Sequence, residues 1–266
     1  MAEISRKASP RSRARQGIPS VSRAFALLEH FRAVRGPRSL TDLVTATGWP
    51  TSSVNDLLKT LSLDGYVAFD TASRTYFPTT RLAELGSWVT SDVVLPGPPF
   101  RSLKRLRKVT GETVLMGTPN ELEVLYLAVL EAARPIQPVL SGRRTPRPLV
   151  QSGMGWALLS AQDDAFVERV YRRSVAKGLV TRAALPHATL ASRLDEVRQR
   201  GFVHVTDVRN PAAAIIAAPV PATYQGMHIA IAVGGPTGRI GERAKRIASQ
   251  LVKEIDALSG ALEGDK

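Results

Sequence analysis

The stretch Trp49–Tyr66, WPTSSVNDLLKTLSLDGY, most constrains the fold, because apolar Val54, Leu57, Leu58 and Leu61 recur at i, i+3, i+4 and i+7. That spacing predicts a helix with one buried face and with Ser52, Asn55, Asp56 and Lys59 turned away from the core. Pro50 falls where a first helical turn tolerates proline, so the hydroxyls of Thr51, Ser52 and Ser53 lie at a helix N-terminus, which attracts anions. A short helix with small polar groups at its leading end suits a DNA major groove. Taken alone, the same pattern fits any amphipathic surface helix.

The flanking residues narrow the choice. Upstream, Ser39-Leu40-Thr41-Asp42 reads as a capping box opening a second short helix, with Leu40, Leu43 and Val44 inward and Gly48 at its end. Two short helices around one glycine make a helix-turn-helix candidate. Val21, Ala24, Phe25, Leu28 and Phe31 give a preceding helix whose apolar face is expected to brace the pair. Downstream, residues 66–69 and 75–77 read as two strands around Asp70-Thr71-Ala72-Ser73, a wing with Arg74 near its tip. Residues 81–93 then carry Leu82, Leu85, Val89 and Val93 at near-heptad spacing and stop before Pro96-Gly97-Pro98-Pro99, a linker helix followed by a hinge. Its stripe, with Trp88, offers a surface for either neighbouring domain or for a second copy of the chain.

Residues 100–262 alternate between helical and strand periodicity. Helices are expected near 103–108, around Phe166–Tyr171, over Leu190–Val197 and over Ala244–Leu258. Strands are expected at 112–118 and 121–129 around Pro119-Asn120, and at 202–206, 214–220 and 228–233. This mixture points to an antiparallel α/β sheet rather than a doubly wound one. The 266 residues can fill two modest cores. The formal charge of +13 favours a polyanionic partner, although the basic excess is spread along the chain, with 12 basic against 7 acidic residues in 1–90. Absence of cysteine excludes disulfides, thiol catalysis and thiolate metal sites, and fits a cytoplasmic setting. No run is apolar and long enough to predict a membrane span. The first sixteen residues, with five arginines and lysines among Ser, Ala and Pro, read as a disordered basic tail.

From about Gly17 to Gly260 the chain resembles the IclR family of bacterial transcriptional regulators. In the first half the resemblance rests on SVSRAFALLEHF, SLTDLVTATGWPTSSVNDLLKTLSLDGYV and RTYFPTTRLAELG. In the second half it rests on PLVQSGMGWALLS, DEVRQRGFVHVTD and IIAAPVPATYQGMHIAIAVGGPTGR. It implies an α+β protein: a winged helix-turn-helix over 17–80, a linker helix and Pro-rich hinge over 81–99, and a GAF-like α/β effector-binding domain over 100–262. Its partners would be double-stranded operator DNA, a small organic effector and further copies of itself, as a dimer or a dimer of dimers. The expected DNA-facing residues are Thr51, Ser52, Ser53, Asn55, Lys59 and Arg74. Asp56 stands where the family usually places an arginine.

For the effector, the resemblance implies Gly153, Met154 and Gly155 as a glycine-rich helix start, with Trp156 in place of the usual lysine. Asp207 matches the family's acidic residue, Ile215 lies near its cysteine, and Ala232 and Gly234 replace its serines. These replacements predict an apolar cavity lined by Met116, Met154, Trp156, Ile215 and Ile231, with Asp207 as its one charged group. A carboxylate would lose solvation there without enough donors in return, so an aromatic or aliphatic effector with at most one polar anchor is expected. Signs of catalysis are missing. His30, His187, His204 and His228 form no metal spacing, and Ser152 lacks the G-x-S-x-G elbow. Gly153-x-Gly155 and Gly234-Gly235-Pro236-Thr237-Gly238 lack a phosphate-loop context. The expectation is therefore a DNA-binding regulator without enzymatic activity or cofactor. The alternative is a ligand-sensing or protein-interaction module whose DNA-binding surface has decayed.

Overall fold

The structure, a computed structural model, describes residues 18–90, 97–132, 147–207 and 210–264, the side chains of 88–90 excepted. The chain divides into two compact units between Val94 and Leu95. The basic tail, the end of the linker helix with Val93, and Pro96 lie outside the described residues, as do the side chains of Trp88 and Val89.

In the first unit, helix α1 (Pro19–Val34), strand β1 (Arg38–Ser39), α2 (Leu40–Thr47), α3 (Thr51–Leu63), β2 (Val67–Asp70), β3 (Thr75–Pro78) and α4 (Arg81–Thr90) follow in order. The capping box forms as expected: Asp42 N donates to Ser39 Oγ at 3.2 Å and Ser39 N donates to Asp42 Oδ2 at 3.0 Å. Gly48 closes α2 in the left-handed region with φ of +67°, which a side chain resists. Leu43, Val54, Leu58, Leu61 and Val67 then meet Leu27 and Phe31 in one small core. On α1 the buried face is thus set by Leu27 and Phe31. Val21 and Phe25, expected inside, are 49% and 63% exposed. They sit one flank away from the face that α3 covers. The sequence also hid β1, which is too short to show a period yet adds a third strand in the order β1-β3-β2.

The second unit opens with α5 (Pro98–Thr110), so Pro98 and Pro99 form a first helical turn rather than a hinge, and Pro99 is buried. Proline is tolerated there because the first turn needs no amide hydrogen. Then come β4 (Thr113–Asn120), β5 (Glu123–Leu130), β6 (Arg147–Pro148), a 3-10 turn at Leu149–Gln151, α6 (Gly153–Ser160), α7 (Asp164–Ala176), α8 (His187–Arg200), β7 (Val203–Asp207), β8 (Asn210–Pro219), β9 (Ala230–Pro236), α9 (Thr237–Glu242) and α10 (Ala244–Gly264). The strands form one antiparallel sheet in the order β6-β5-β4-β9-β8-β7. The turn between β4 and β5 lies at Glu121-Leu122, two residues beyond the expected Pro119-Asn120, with Glu121 at φ +53°.

Both faces of the sheet are covered. Leu115, Ala217 and Ala232 pack toward α6, α7 and α8, while Val114, Met116, Ile216, Ile231 and Val233 pack toward α5 and α10. On the second side, Glu112 is 1% exposed and is held by Arg239 at 2.6 Å and Arg243 at 3.2 Å. Arg243 also donates to the Thr110 carbonyl at 2.6 Å. A carboxylate buried this deeply is tolerable only because two guanidinium groups replace its water.

Helix α6 fixes the interior of the first side. All eight of its residues are buried. Ser152 caps it, accepting from Gly155 N at 3.1 Å and donating to the Pro148 carbonyl at 2.9 Å. A Cβ at Gly155 would stand 2.1 Å from the Leu149 carbonyl oxygen, and one at Gly153 2.8 Å from methyl groups of Ile215 and Val205. Because the Leu149 backbone cannot yield, Gly155→Ala is expected to destabilise the second unit by about 3 kcal/mol, the upper end for overpacking. Gly238→Ala, in open space on α9, should be neutral or stabilising by up to about 1 kcal/mol. Urea titration of the two variants checks both outcomes.

Candidate nucleic-acid interface and effector cavity

Six residues were expected to face DNA, and the structure puts them all on the outside of the first unit. Thr51, Ser52, Lys59 and Arg74 are exposed, and Ser53 and Asn55 are half-buried. Pro50 is the N-cap rather than the first helical residue, and no side chain caps α3. The amides of Thr51, Ser52 and Ser53 therefore occupy a first turn whose donors have no intrahelical acceptor. Asp56 is exposed too, and among the described residues it forms no ion pair with Lys59.

The wing is shaped by Asp70. Its carboxylate accepts from Ala72 N at 2.9 Å and from Ser73 Oγ at 2.6 Å, and these bonds hold its pKa below the ordinary carboxylate range. The turn delivers Arg74 with φ of +55°, in the left-handed region. Two further arginines escaped the sequence reading because nothing in their spacing marks them. Arg23 lies 5.5 Å from the Trp49 ring centre and Arg81 5.1 Å from that of Tyr66, cation–π contacts that keep basic groups beside the helix-turn-helix.

The second unit contains a cavity of about 50 Å³ between α6 and the sheet. Of the eight residues expected there, Gly153, Met154, Trp156, Asp207 and Ile215 line it. Met116 and Ile231 do not. They are paired neighbours on β4 and β9, and both side chains lie on the opposite face of the sheet with α5 and α10. Strand side chains alternate, so Leu115 takes the place assigned to Met116. Gly155 lies against Leu149 instead of the cavity. Trp156 donates from Nε1 to the Val150 carbonyl at 2.8 Å, with the Arg193 guanidinium 4.5 Å above its ring.

Asp207 is not the only charge. Arg147 grips it with two nearly parallel contacts, 2.8 Å to Oδ2 and 3.2 Å to Oδ1, and both residues line the cavity. Tyr126 stands in the same wall. Burial pushes its phenol above its ordinary value of about 10, with Arg147 opposing and Asp207 adding to the shift. Sequence reasoning missed Arg147 and Tyr126 because the residues they join are far apart along the chain.

The chain compares clearly with known proteins at this point. Residues 20–71 match the family described as the IclR helix-turn-helix domain, and residues 100–260 match that described as the bacterial transcriptional regulator IclR C-terminal domain. The chain belongs to the IclR family. As an IclR-family protein it is a helix-turn-helix DNA-binding transcriptional regulator with a C-terminal effector-binding domain. It is 28% identical over 262 residues to the HTH-type transcriptional regulator BhcR of Paracoccus denitrificans, covering 95% of this chain and 92% of that one. The fold is that of the Thermotoga maritima IclR crystal structure, with a TM-score of 0.70 at 18% identity over 91% of this chain and 98% of that one. An IclR homologue from Microbacterium hydrocarbonoxydans, crystallised with 4-hydroxybenzoate, superposes with a TM-score of 0.64 at 18% identity, over 92% and 99% of the two chains.

The Tyr126 environment gives a pH-dependent expectation. A phenol whose folded pKa is raised contributes stability that is complete below the unfolded value of about 10 and is lost as pH rises through the folded value. In an ultraviolet titration, the difference between the parent protein and its Tyr126→Phe variant should show a phenolate forming above the ordinary range. Ionisation at or below about pH 10 would contradict the upward shift.

Proposed function

We propose that this IclR-family regulator reads a specific operator with α3 and its wing, and that a small organic molecule in the second-unit cavity sets how well it does so. In this reading residues 17–80 bind DNA, 81–99 connect, and 100–262 sense the effector. The protein works in the cytoplasm, by binding rather than catalysis. The observation that carries the DNA half is the exposed polar start of α3, left uncapped by any side chain and held on a three-helix core. Thr51, Ser52, Ser53 and Asn55 face the major groove, while Lys59 and Arg74 contact phosphates.

A helix-turn-helix module spans few base pairs, so two copies on adjacent half-sites supply specificity. Leu85, 56% exposed on α4, and half-buried Leu82 provide the seam for that pairing. The control mechanism is a population shift, in which the effector binds one arrangement of paired DNA-binding units better than another. The relative bound to 4-hydroxybenzoate supports a small organic effector. The cavity's size argues for a small one. At about 50 Å³ it falls well below the ~150 Å³ that admits benzene without rearrangement.

Fluorescence anisotropy on the DNA upstream of its own coding sequence tests the interface. Lys59→Ala and Arg74→Ala should each weaken binding to all sequences and make the salt dependence shallower by about one unit, the share of a single neutralised phosphate. Asn55→Ala should instead change base preference, by about 1–3 kcal/mol at one position. Unchanged affinity and preference in all three variants would remove α3 and the wing from the interface. For assembly, light scattering should show an oligomer that Leu85→Glu dissociates; a monomeric parent with intact operator binding would exclude the seam.

A further inference from the structure

Opposite its buried face, helix α5 carries a row of cations with no acid among them. Pro99, Ser102, Leu103, Leu106 and Thr110 are buried, while Arg101, Lys104, Arg105 and Lys108 are exposed. Their spacing of i, i+3, i+4 and i+7 places all four on one outward stripe. No Asp or Glu occurs between Leu95 and Gly111. Arg105 is held by Glu254 of α10, whose carboxylate accepts from its Nε at 2.8 Å, and the Lys104 ammonium lies 4.3 Å from the Phe100 ring centre. Arg101 and Lys108 make no ion pair among the described residues. Helix stability does not account for this row. Like charges at i and i+4, Arg101 with Arg105 and Lys104 with Lys108, repel each other. The helix dipole favours cations in the last turn, where Arg107 and Lys108 lie, but opposes Arg101 in the first. The row therefore carries a repulsion that an external polyanion relieves. It belongs to a wider excess outside the helix-turn-helix, since residues 91–266 hold 24 basic residues against 16 acidic ones.

We propose that the outward stripe of α5 is a second DNA-contacting surface, which lays Arg101, Lys104 and Lys108 on the phosphates of duplex flanking the operator. The proposal rests on the operator reading above for its tether. Once α3 is seated, the second unit and the duplex belong to one complex, and weak contacts count at the high effective concentration that results. The form of the stripe fits a phosphate backbone. From Arg101 to Lys108 the helix rises about 10 Å, the length of roughly three base pairs. Phosphate contacts need charge and reach but no base-edge geometry, so long side chains serve and the contact carries no sequence preference. Two other anionic partners fit less well. A membrane surface takes an amphipathic helix by its apolar face, and here that face is turned inward, with Leu103 and Leu106 at 0% and 1% exposure. A protein partner buries an apolar centre inside a polar rim, whereas the four stripe residues adjoin one another and the half-exposed Val109 stands at their flank. Such a surface adds affinity without changing which bases are read, and it sets how much DNA the regulator occupies.

Fluorescence anisotropy on the full chain compares two duplexes from upstream of its coding sequence. One is the shortest segment that keeps base preference; the other extends it on each side by about two helical turns, roughly 20 base pairs, of unrelated sequence. The parent should bind the extended duplex at least about fivefold tighter and with a steeper salt dependence. Arg101→Gln/Lys108→Gln should remove that gain and make the slope on the extended duplex shallower by about two units per bound chain, one for each phosphate contact. Its binding to the short duplex should stay as in the parent. Arg172→Gln/Arg182→Gln, an equal loss of charge from exposed sites elsewhere in the second unit, should change neither duplex. All four side chains are exposed, so both variants should keep the parent circular dichroism spectrum. Absence of a gain in the parent, a gain that survives Arg101→Gln/Lys108→Gln, or one that falls equally in Arg172→Gln/Arg182→Gln overturns the surface and leaves the operator reading standing. Phosphatidylserine vesicles or polyglutamate bound by the parent but not by Arg101→Gln/Lys108→Gln, with no difference between the two on DNA, would give the stripe another partner and overturn it as well. If the parent binds no upstream duplex of either length, both readings fall.

Discussion

A helix with no polar face has to be covered on every side, and α6 imposes that requirement on the whole second unit. All eight of its residues are buried. One sheet face and one layer of helices cannot enclose it unless the sheet bends, and the antiparallel order β6-β5-β4-β9-β8-β7 provides a surface wide enough to do so. The bend depends in turn on backbone approaching backbone. Gly155 lets the helix start against the Leu149 carbonyl, and Gly153 lets it rest on Ile215 and Val205. The cavity is what remains between helix and strands once that approach has been made.

Two of the unit's charged joints differ in kind. On the outer side the buried Glu112 is gripped by both Arg239 and Arg243 and ties the α5–β4 junction to α9 and the start of α10. Removing one partner there strands a buried charge, a loss of about 3–5 kcal/mol, so this joint is permanent. On the inner side Arg147 and Asp207 face each other and border the cavity. The same chemistry thus holds a fully buried carboxylate in one place and a partly exposed one, at a cavity wall, in the other.

Most of the architecture was legible from the chain. The 3.6-residue period of Val54, Leu58 and Leu61 located α3, the Ser39–Asp42 box located the start of α2, and alternating helices and hairpins gave an antiparallel sheet. What failed was the phase of the central strands. In β9 all residues through Gly235 are buried, so no polar side distinguishes the cavity face from the outer one, and Met116 and Ile231 were assigned to the wrong face. Arg147 was hidden for a different reason. It acquires its role from Asp207, sixty positions away at the opposite sheet edge, and only the curl of the sheet brings the two together. On α1, Val21 and Phe25 share the apolar character of Leu27 and Phe31, and pattern alone does not say which flank the other helices cover.

Gly153 gives the cavity a wall made partly of main chain. Side-chain walls can be resculpted by substitution, but here any larger residue collides with Ile215 and Val205 before it reaches the ligand space. Divergence toward new effectors is thereby channelled to strand residues that Gly153 does not touch, Leu115 and Tyr126 among them. A lineage of such regulators would be expected to vary its ligand through its strands and to leave the glycine turn untouched.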